Sequence, residues 1–311
     1  MPSSLKKIDF PYEEMKVKEL YFDADYQNGL DGTDTQGVRS VFGRPFYFCE
    51  TYEDRPYIYN SLVTSIDGKI AFEDAPQGPF IAKKNKFAGN GSLVDYWILN
   101  VLRGSSDAIL IGTSSINLES KTGGTGHCYD EQIELYRESK GKNPVPLGIV
   151  VTVSGDDICY EAAIFHSEEK PLVFYSTQKG YETIRSHSSK PVVRINLDHI
   201  VPIQQIDASS VYVIVSGENM FNHTKGMKIL KQMGIDRLLV ESPTVTHIFM
   251  EEHIMDELFL NYSCIYVGGN ANSIGKACPS FGSENHPHTK LISVHMYNSH
   301  FLYLRHKVVY E

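Results

Sequence analysis

The sequence has no paired cysteines, no excess of positive charge and no long apolar run. Its five cysteines are scattered without a C-x-x-C spacing, which favours free thiols in a reducing compartment over a disulfide framework or a zinc site. The formal net charge of −9 argues against a general nucleic-acid-binding surface. No apolar run approaches membrane-spanning length, and residues 1–7 hold no apolar signal core. We therefore expect a cytoplasmic protein without a nucleic-acid or membrane partner.

Several motifs that would identify a nucleotide or metal site are also missing. The chain contains neither G-x-x-x-x-G-K-[ST] nor a good G-x-G-x-x-G, so neither a P-loop nor a standard Rossmann site is expected. The chain has no P-C-x-x-C segment, so the pairing of H-x-E with P-C-x-x-C that marks a zinc deaminase is absent. The histidines near the C-terminus lack the spacing of metal ligands. No metal site is predicted.

What the sequence does contain is a succession of short apolar runs and helical patterns typical of an α/β protein. The clearest run is Ala108–Ile111, which predicts a central strand that Gly112 ends. A further strand is predicted within residues 56–70, ahead of the turn segment Ser65-Ile66-Asp67-Gly68-Lys69, and others at 146–154, 172–175, 191–195, 211–215 and 236–240. Helices are predicted at 92–103, 129–139, 225–233 and 245–252, and a C-terminal hairpin at 291–296 and 301–309. Residues 1–55 differ in texture and are assigned to an irregular N-terminal extension, leaving 56–311 as the main domain.

Small hydroxyl residues or glycine follow several of the predicted strands. In an open α/β sheet, ligands bind beyond the carboxyl ends of the strands, and glycine, hydroxyl and backbone N–H groups suit the close approach of a phosphate. The repetition of this feature predicts one ligand cleft along a mostly parallel sheet. For any single strand, an ordinary turn is the competing interpretation.

Three segments, taken in order, resemble the riboflavin-biosynthesis pyrimidine reductase family. They are Ser65-Ile66-Asp67-Gly68-Lys69-Ile70, then Leu102-Arg103 with Asp107-Ala108-Ile109-Leu110-Ile111-Gly112, and finally Leu238-Leu239-Val240-Glu241 followed by Met255-Asp256-Glu257-Leu258. The resemblance implies a three-layer fold like that of dihydrofolate reductase, with a mixed, mostly parallel sheet flanked by helices and a C-terminal β-hairpin. It also implies an NADPH-dependent oxidoreductase that forms a homodimer.

The resemblance further implies the reaction and the site residues. The family reduces 5-amino-6-(5-phosphoribosylamino)uracil, delivering hydride to ribose C1 and opening the ribose to a ribityl chain. Asp67 and Glu241 would face the substrate, with Asn60, Ser61 and Lys69 as further substrate contacts. The cofactor would lie along the strand ends, near Gly112, Thr113, Ser115, Thr152, Ser176, Gly217 and Ser242.

The sequence departs from the family pattern at three positions. Ser242-Pro243 replaces the usual diglycine after the strand-end glutamate, Ser115 replaces a threonine, and Ser61 stands where a lysine or asparagine is common. Two other functions therefore stay open. One is reduction of a different small heterocycle such as a pterin, and the other is a non-catalytic nucleotide-binding protein of the same fold.

Two local expectations each have a structural alternative. Asp67 either contacts the substrate or only forms the Asp67-Gly68 turn. The apolar run at 301–304 suggests a homodimer contact, unless the strand-like segment at 46–48 covers this edge within one chain.

Overall fold

The computed structural model describes residues 7–114, 128–162, 165, 168 and 171–310. Its thirteen strands are β1 Lys18–Phe22, β2 Asp31–Thr33, β3 Phe46–Phe48, β4 Tyr57–Ser65, β5 Ala108–Gly112, β6 Leu147–Val151, β7 Leu172–Ser176, β8 Val192–Ile195, β9 Val211–Val215, β10 Arg237–Val240, β11 Glu257–Ser263, β12 His288–Asn298 and β13 Phe301–Val309. The α-helices of this part of the chain are α1 Gln36–Phe42, α2 Phe80–Lys83, α3 Gly91–Ser105, α4 Glu131–Ser139, α5 Gln178–His187, α6 His223–Gln232 and α7 Pro243–Glu251.

Eleven of these strands form one sheet, in the order β1-β12-β13-β11-β4-β10-β5-β6-β7-β9-β8. The strands from β11 to β8 are mutually parallel, whereas β13, β12 and β1 are added antiparallel. The fold class expected from the sequence, a mostly parallel mixed sheet with a C-terminal hairpin, is confirmed. The predicted strands and helices are present, with bounds that differ by a few residues.

Two apolar clusters place the sheet between layers of helices. One cluster joins α3, α4 and α5 to one face of the sheet, with Trp97 and Phe174 among its fully buried side chains. The other joins α6 and α7 to the opposite face through Leu230 and Phe249. Central strands that are covered on both faces read as continuous apolar runs, which is why they were visible in the sequence.

The N-terminal segment is folded and packs on the rest of the chain. Strand β1 pairs antiparallel with β12, so it lies on the outer edge of the C-terminal hairpin. Strand β3 does not join the large sheet; it pairs with β2, and its Phe48 packs against Tyr59 at 4.6 Å between ring centroids. Phe301 and Tyr303 of the C-terminal run are buried. The apolar surface from which a homodimer was inferred is therefore largely covered within one chain.

Candidate active site

The carboxyl ends of β5 and β10 meet at the centre of the sheet. A Cβ built on Gly112 would lie 3.9 Å from Oγ of Ser242. Ser242 is the N-cap of α7 and its hydroxyl accepts a hydrogen bond from Val245 N at 3.4 Å, while Pro243 takes the first helical position. Gly112 and Ser242 thus form a small-residue crevice next to the amino end of a helix, a place suited to an anionic group.

Glu241 follows β10 at this edge and is held by Arg103 from the last turn of α3. Arg103 Nε and one terminal guanidinium nitrogen each lie 2.7 Å from a Glu241 carboxylate oxygen, and both side chains are largely buried. Burial lowers the pKa of Arg103, but the Glu241 carboxylate outweighs it and raises that pKa above its usual range. The two hydrogen bonds from Arg103 hold the Glu241 carboxylate in a fixed position at the strand ends.

Strand β4 continues beyond the point where its neighbour β10 stops. Val240 of β10 pairs with Asn60, whereas pairing of β4 with β11 continues to Ser65 and Ser263. Tyr57 N donates to Asp236 O at 2.8 Å, so the odd-numbered residues of β4 direct their backbone groups towards β10. The N–H and C=O of Val63 point the same way, beyond the end of β10. Among the described residues, β10 leaves this stretch of the β4 edge unpaired, and a ligand amide can pair there.

The two substrate-contact residues predicted on β4 lie on opposite faces of the sheet. Ser61 is level with Glu241 and shares its face, because side chains alternate along a strand. Asn60 points to the other face and is buried, with Oδ1 accepting from Phe259 N at 2.9 Å. Its Nδ2 has no hydrogen-bond partner among the described residues.

Asp67 holds two segments of the chain together. Its carboxylate accepts hydrogen bonds from Ser65 Oγ at 2.6 Å, Val267 N at 3.1 Å and Gly268 N at 2.8 Å. Burial raises the pKa of Asp67, but these hydrogen bonds outweigh it and lower the pKa to about 2. The carboxylate joins the turn after β4 to the loop after β11.

Lys69 strengthens the same connection. Its Nζ donates to the carbonyl oxygens of Gly269 at 3.0 Å and Ala271 at 3.3 Å. Because Ser65 lies four residues beyond Ser61 on β4, the turn stands about 13 Å past the level of Glu241. The resemblance implies that Asp67 and Glu241 both face the substrate, and in the structure they lie at two different levels along β4.

The threonine hydroxyls after β5 and in the loop after β6, which were predicted to bind the cofactor, both donate hydrogen bonds to the same carboxylate. Thr113 Oγ1 and Thr152 Oγ1 each donate to Asp157, both at 2.6 Å. Thr152 also accepts from Gly155 N at 2.9 Å. A dinucleotide bound along these strand ends would meet the Asp157 carboxylate, a group that no sequence motif predicts.

The remaining cofactor positions are used inside the fold. Ser176 is fully buried and donates to Thr152 O at 2.7 Å. A Cβ on Gly217 would lie 2.0 Å from Met220 O, so the turn after β9 requires glycine there. Ser115 lies outside the described residues. The binding roles of these residues stay predictions.

A second carboxylate enters the same face from the beginning of α3. Asp95 is partly buried, and its Oδ1 accepts from Asn261 Nδ2 at 2.7 Å. Burial raises the pKa of Asp95 to about 7. Asn261 pairs with Val63 across β11 and β4, so Asp95 lies near the open strand edge. The sequence contains no signal for this position of Asp95, because a single aspartate within a helical pattern is ordinary.

Neither a metal-ligand cluster nor a membrane-spanning helix is found in the part of the chain that the structure describes. It holds no group of three or more histidine, cysteine, aspartate or glutamate side chains arranged to bind a metal ion. Among the same residues, every helix is too short or too polar to cross a membrane.

Comparison with known proteins agrees with this architecture. Residues 56–302 match the family described as RibD C-terminal domain. A curated relative from Archaeoglobus fulgidus, 2,5-diamino-6-ribosylamino-4(3H)-pyrimidinone 5′-phosphate reductase, is 24% identical over 216 residues, which is 69% of this chain and 83% of the relative.

Solved structures share the fold at low sequence identity. A pyrimidine reductase-like protein from Corynebacterium diphtheriae aligns with a TM-score of 0.61 at 17% identity, over 83% of this chain and 94% of that one. Acinetobacter baumannii RibD aligns with a TM-score of 0.54 at 15% identity, over 82% of this chain and 58% of that one. The resemblance inferred from three short motifs is confirmed, as is the reductase class: the chain belongs to the RibD C-terminal domain family.

Proposed function

We propose that this protein is an NADPH-dependent reductase that opens the ribose of a phosphoribosylamino-pyrimidine to a ribityl chain. The observation that carries the proposal is the fixed Arg103–Glu241 pair beside the Gly112–Ser242 crevice. It lies at the carboxyl edge of the sheet, where ligands of open α/β folds bind, in a chain of the RibD C-terminal domain family.

The residues of the crevice fit a nicotinamide dinucleotide. Gly112 leaves space for a phosphate, the amino end of α7 favours its charge, and the open backbone of Val63 matches a carboxamide. When bound, NADPH supplies the hydride. The chain's own residues bind and orient the two partners, which by itself supplies much of the acceleration.

Two pyrimidines are candidates for the substrate. The resemblance implies 5-amino-6-(5-phosphoribosylamino)uracil, whereas the Archaeoglobus relative is named for the 2-amino-pyrimidinone counterpart. The two share the phosphorylated ribosylamino group and differ at ring C2. The carboxylate of Glu241 accepts hydrogen bonds only, so it suits ring N–H or amino groups, which both compounds carry.

The direct test follows NADPH oxidation by the purified protein with each pyrimidine. We expect saturable turnover with at least one of them and formation of the ribitylamino product. NADH serves as the control for cofactor choice, and a reduced pterin precursor tests the alternative heterocycle. Saturable NADPH binding without oxidation in the presence of any of these compounds would favour the non-catalytic alternative.

A further inference from the structure

Two carboxylates lie on the α3 face of the sheet with the open edge of β4 between them. Asp95 and Arg103 are eight residues apart on α3, so they share one helix face, and Asp95 lies about 12 Å nearer the beginning of the helix. That beginning is at the carboxyl edge of the sheet, because Tyr303 Oη donates to Gly91 O at 2.8 Å and Phe301 pairs with Ser263 at the end of β11. Arg103 therefore approaches Glu241 from the interior of the sheet, whereas Asp95 lies farther towards and beyond the carboxyl edge.

The depth of Asp95 in the cleft follows from the strand register. Asn261, which donates to Asp95, is paired with Val63. Val63 is two residues, about 7 Å, beyond the level of Ser61 and Glu241. A ligand paired with the open backbone of Val63 would therefore lie with Glu241 on one side and Asp95 on the other.

The surroundings of Asp95 differ from those of Glu241. Glu241 is neutralised by two hydrogen bonds from a guanidinium group. Asp95 accepts one hydrogen bond from a neutral amide. The nearby titratable group on β13 is Tyr303, whose pKa burial raises and the negative charge of Asp95 raises further. A buried carboxyl that has no cation beside it among the described residues favours its protonated form, and two carboxyls whose surroundings differ in this way take different roles.

We infer that Asp95 is the general acid of the reduction, which protonates the ribose ring oxygen while Glu241 orients the pyrimidine. This inference rests on the proposed function. Hydride addition forms the new C–H bond at ribose C1, and the bond from C1 to the ring oxygen breaks. Its electron pair stays on that oxygen, which takes the proton from Asp95 to become a hydroxyl. Oxidised dinucleotide is released, and solvent reprotonates the carboxylate.

The raised pKa of Asp95, about 7, agrees with this role. At pH 6 the carboxyl is mostly protonated and able to donate, and above pH 8 it is mostly ionised. The turnover number should therefore fall as pH rises through the pKa of Asp95. Asn261 lowers that pKa by stabilising the ionised form, so removal of its amide should move the fall in turnover to higher pH.

Three variants, compared with the wild type, provide the kinetic test. Asp95→Asn should lower kcat at pH 6 by roughly 100-fold, the scale of a general acid, with KM within about threefold and no pH dependence near 7. Asn261→Leu should shift the fall in turnover to higher pH. Asp198→Asn, at an exposed position, is the matched control and should match the wild type.

A measurement without substrate completes the test. Titration of ¹³C-labelled aspartate carboxyls by NMR, with Asp95 assigned from the spectrum of Asp95→Asn, should give a midpoint near 7. A midpoint near 4, or unchanged kcat and pH profile in Asp95→Asn while the wild type turns over, overturns the role of Asp95 alone. A wild type that oxidises no NADPH with either pyrimidine overturns the proposed function and the role of Asp95 with it.

Discussion

Arg103 and Glu241 are 138 residues apart in the chain, yet two hydrogen bonds of 2.7 Å join them across the end of the sheet. The contact explains why a leucine-arginine pair near the end of a helix and a glutamate after a distant strand occur together in one motif set. Arg137 stabilises the end of α3 next to this pair, because its buried guanidinium donates to the carbonyl oxygen of Gly104 at 2.9 Å. The last turn of α3, and with it Arg103, is thereby fixed.

Glu241→Gln should lower both turnover and stability. Glutamine offers one acceptor oxygen to Arg103 and leaves a largely buried guanidinium without a counter-charge, which costs about 3 kcal/mol when such a pair is broken. We expect a lower Tm and at least a tenfold loss of kcat/KM. Glu252→Gln, at an exposed position after α7, is the control. Normal kcat/KM in Glu241→Gln would contradict a role for this carboxylate in the site.

Asp67→Asn should lower Tm and turnover together. The carboxylate accepts from two backbone N–H groups of the loop after β11, and an amide nitrogen in place of one oxygen would face an N–H group. The loop is then released at the upper level of the cleft. Thermal unfolding and steady-state kinetics on one variant, with exposed Asp74→Asn as control, check this.

Other outcomes for Asp67→Asn separate the two interpretations left open by the sequence. Lower turnover at unchanged Tm would mean that Asp67 contacts the substrate directly. A lower Tm with unchanged kinetics would mean that it only forms a turn. The joint loss expected here identifies it as the residue that positions the loop.

The sequence was sufficient to predict the parallel core of this fold. Strands such as β5 and β9 are buried on both faces, and their uninterrupted apolar runs are local signals. Ser242 and Pro243 likewise predicted the beginning of α7 correctly, because capping depends on neighbouring residues.

The site was less accessible to sequence reasoning because its contacts are not local. The partners of Asp67 in the loop after β11 are about 200 residues away, and the level of Asp67 relative to Glu241 depends on strand register. Asp95 has no motif, and its altered pKa arises only when α3 packs on β11. The pairing of β1 with β12 also joins two ends of the chain, so the covering of the hairpin edge had no local signal.

Acid should destabilise the protein through two buried histidines. Burial lowers the pKa of His223 to about 4, and burial together with the charges of Arg44 and Arg305 lowers that of His295 to about 4. Between pH 6.5 and 4 the unfolded chain binds protons that the native state does not, so the free energy of unfolding falls as pH decreases through this range. Each histidine contributes up to about 3 kcal/mol.

Urea unfolding at pH 7.5, 6 and 5 measures this dependence. His223→Phe removes one titrating group and should flatten the slope, although it also removes the contact with Tyr175 Oη at 3.2 Å. His199→Gln, at an exposed position, should keep the slope of the wild type. An equal slope in His223→Phe would show that this histidine titrates normally in the native state.

The homodimer expected from the family resemblance should form through β1. This strand is the outer edge of the sheet, and Leu20 and Tyr21 on it are 48% and 44% exposed. An edge that carries exposed apolar side chains pairs readily with another chain.

Sedimentation equilibrium at micromolar concentration should give the mass of a dimer for the wild type. Leu20→Lys combined with Tyr21→Lys should give a monomer with unchanged Tm, because charges on an edge strand oppose pairing without disturbing the core. Leu135→Lys, at an exposed position on α4, should remain dimeric. A wild type that sediments only as a monomer would mean that β1 completes the sheet edge within one chain.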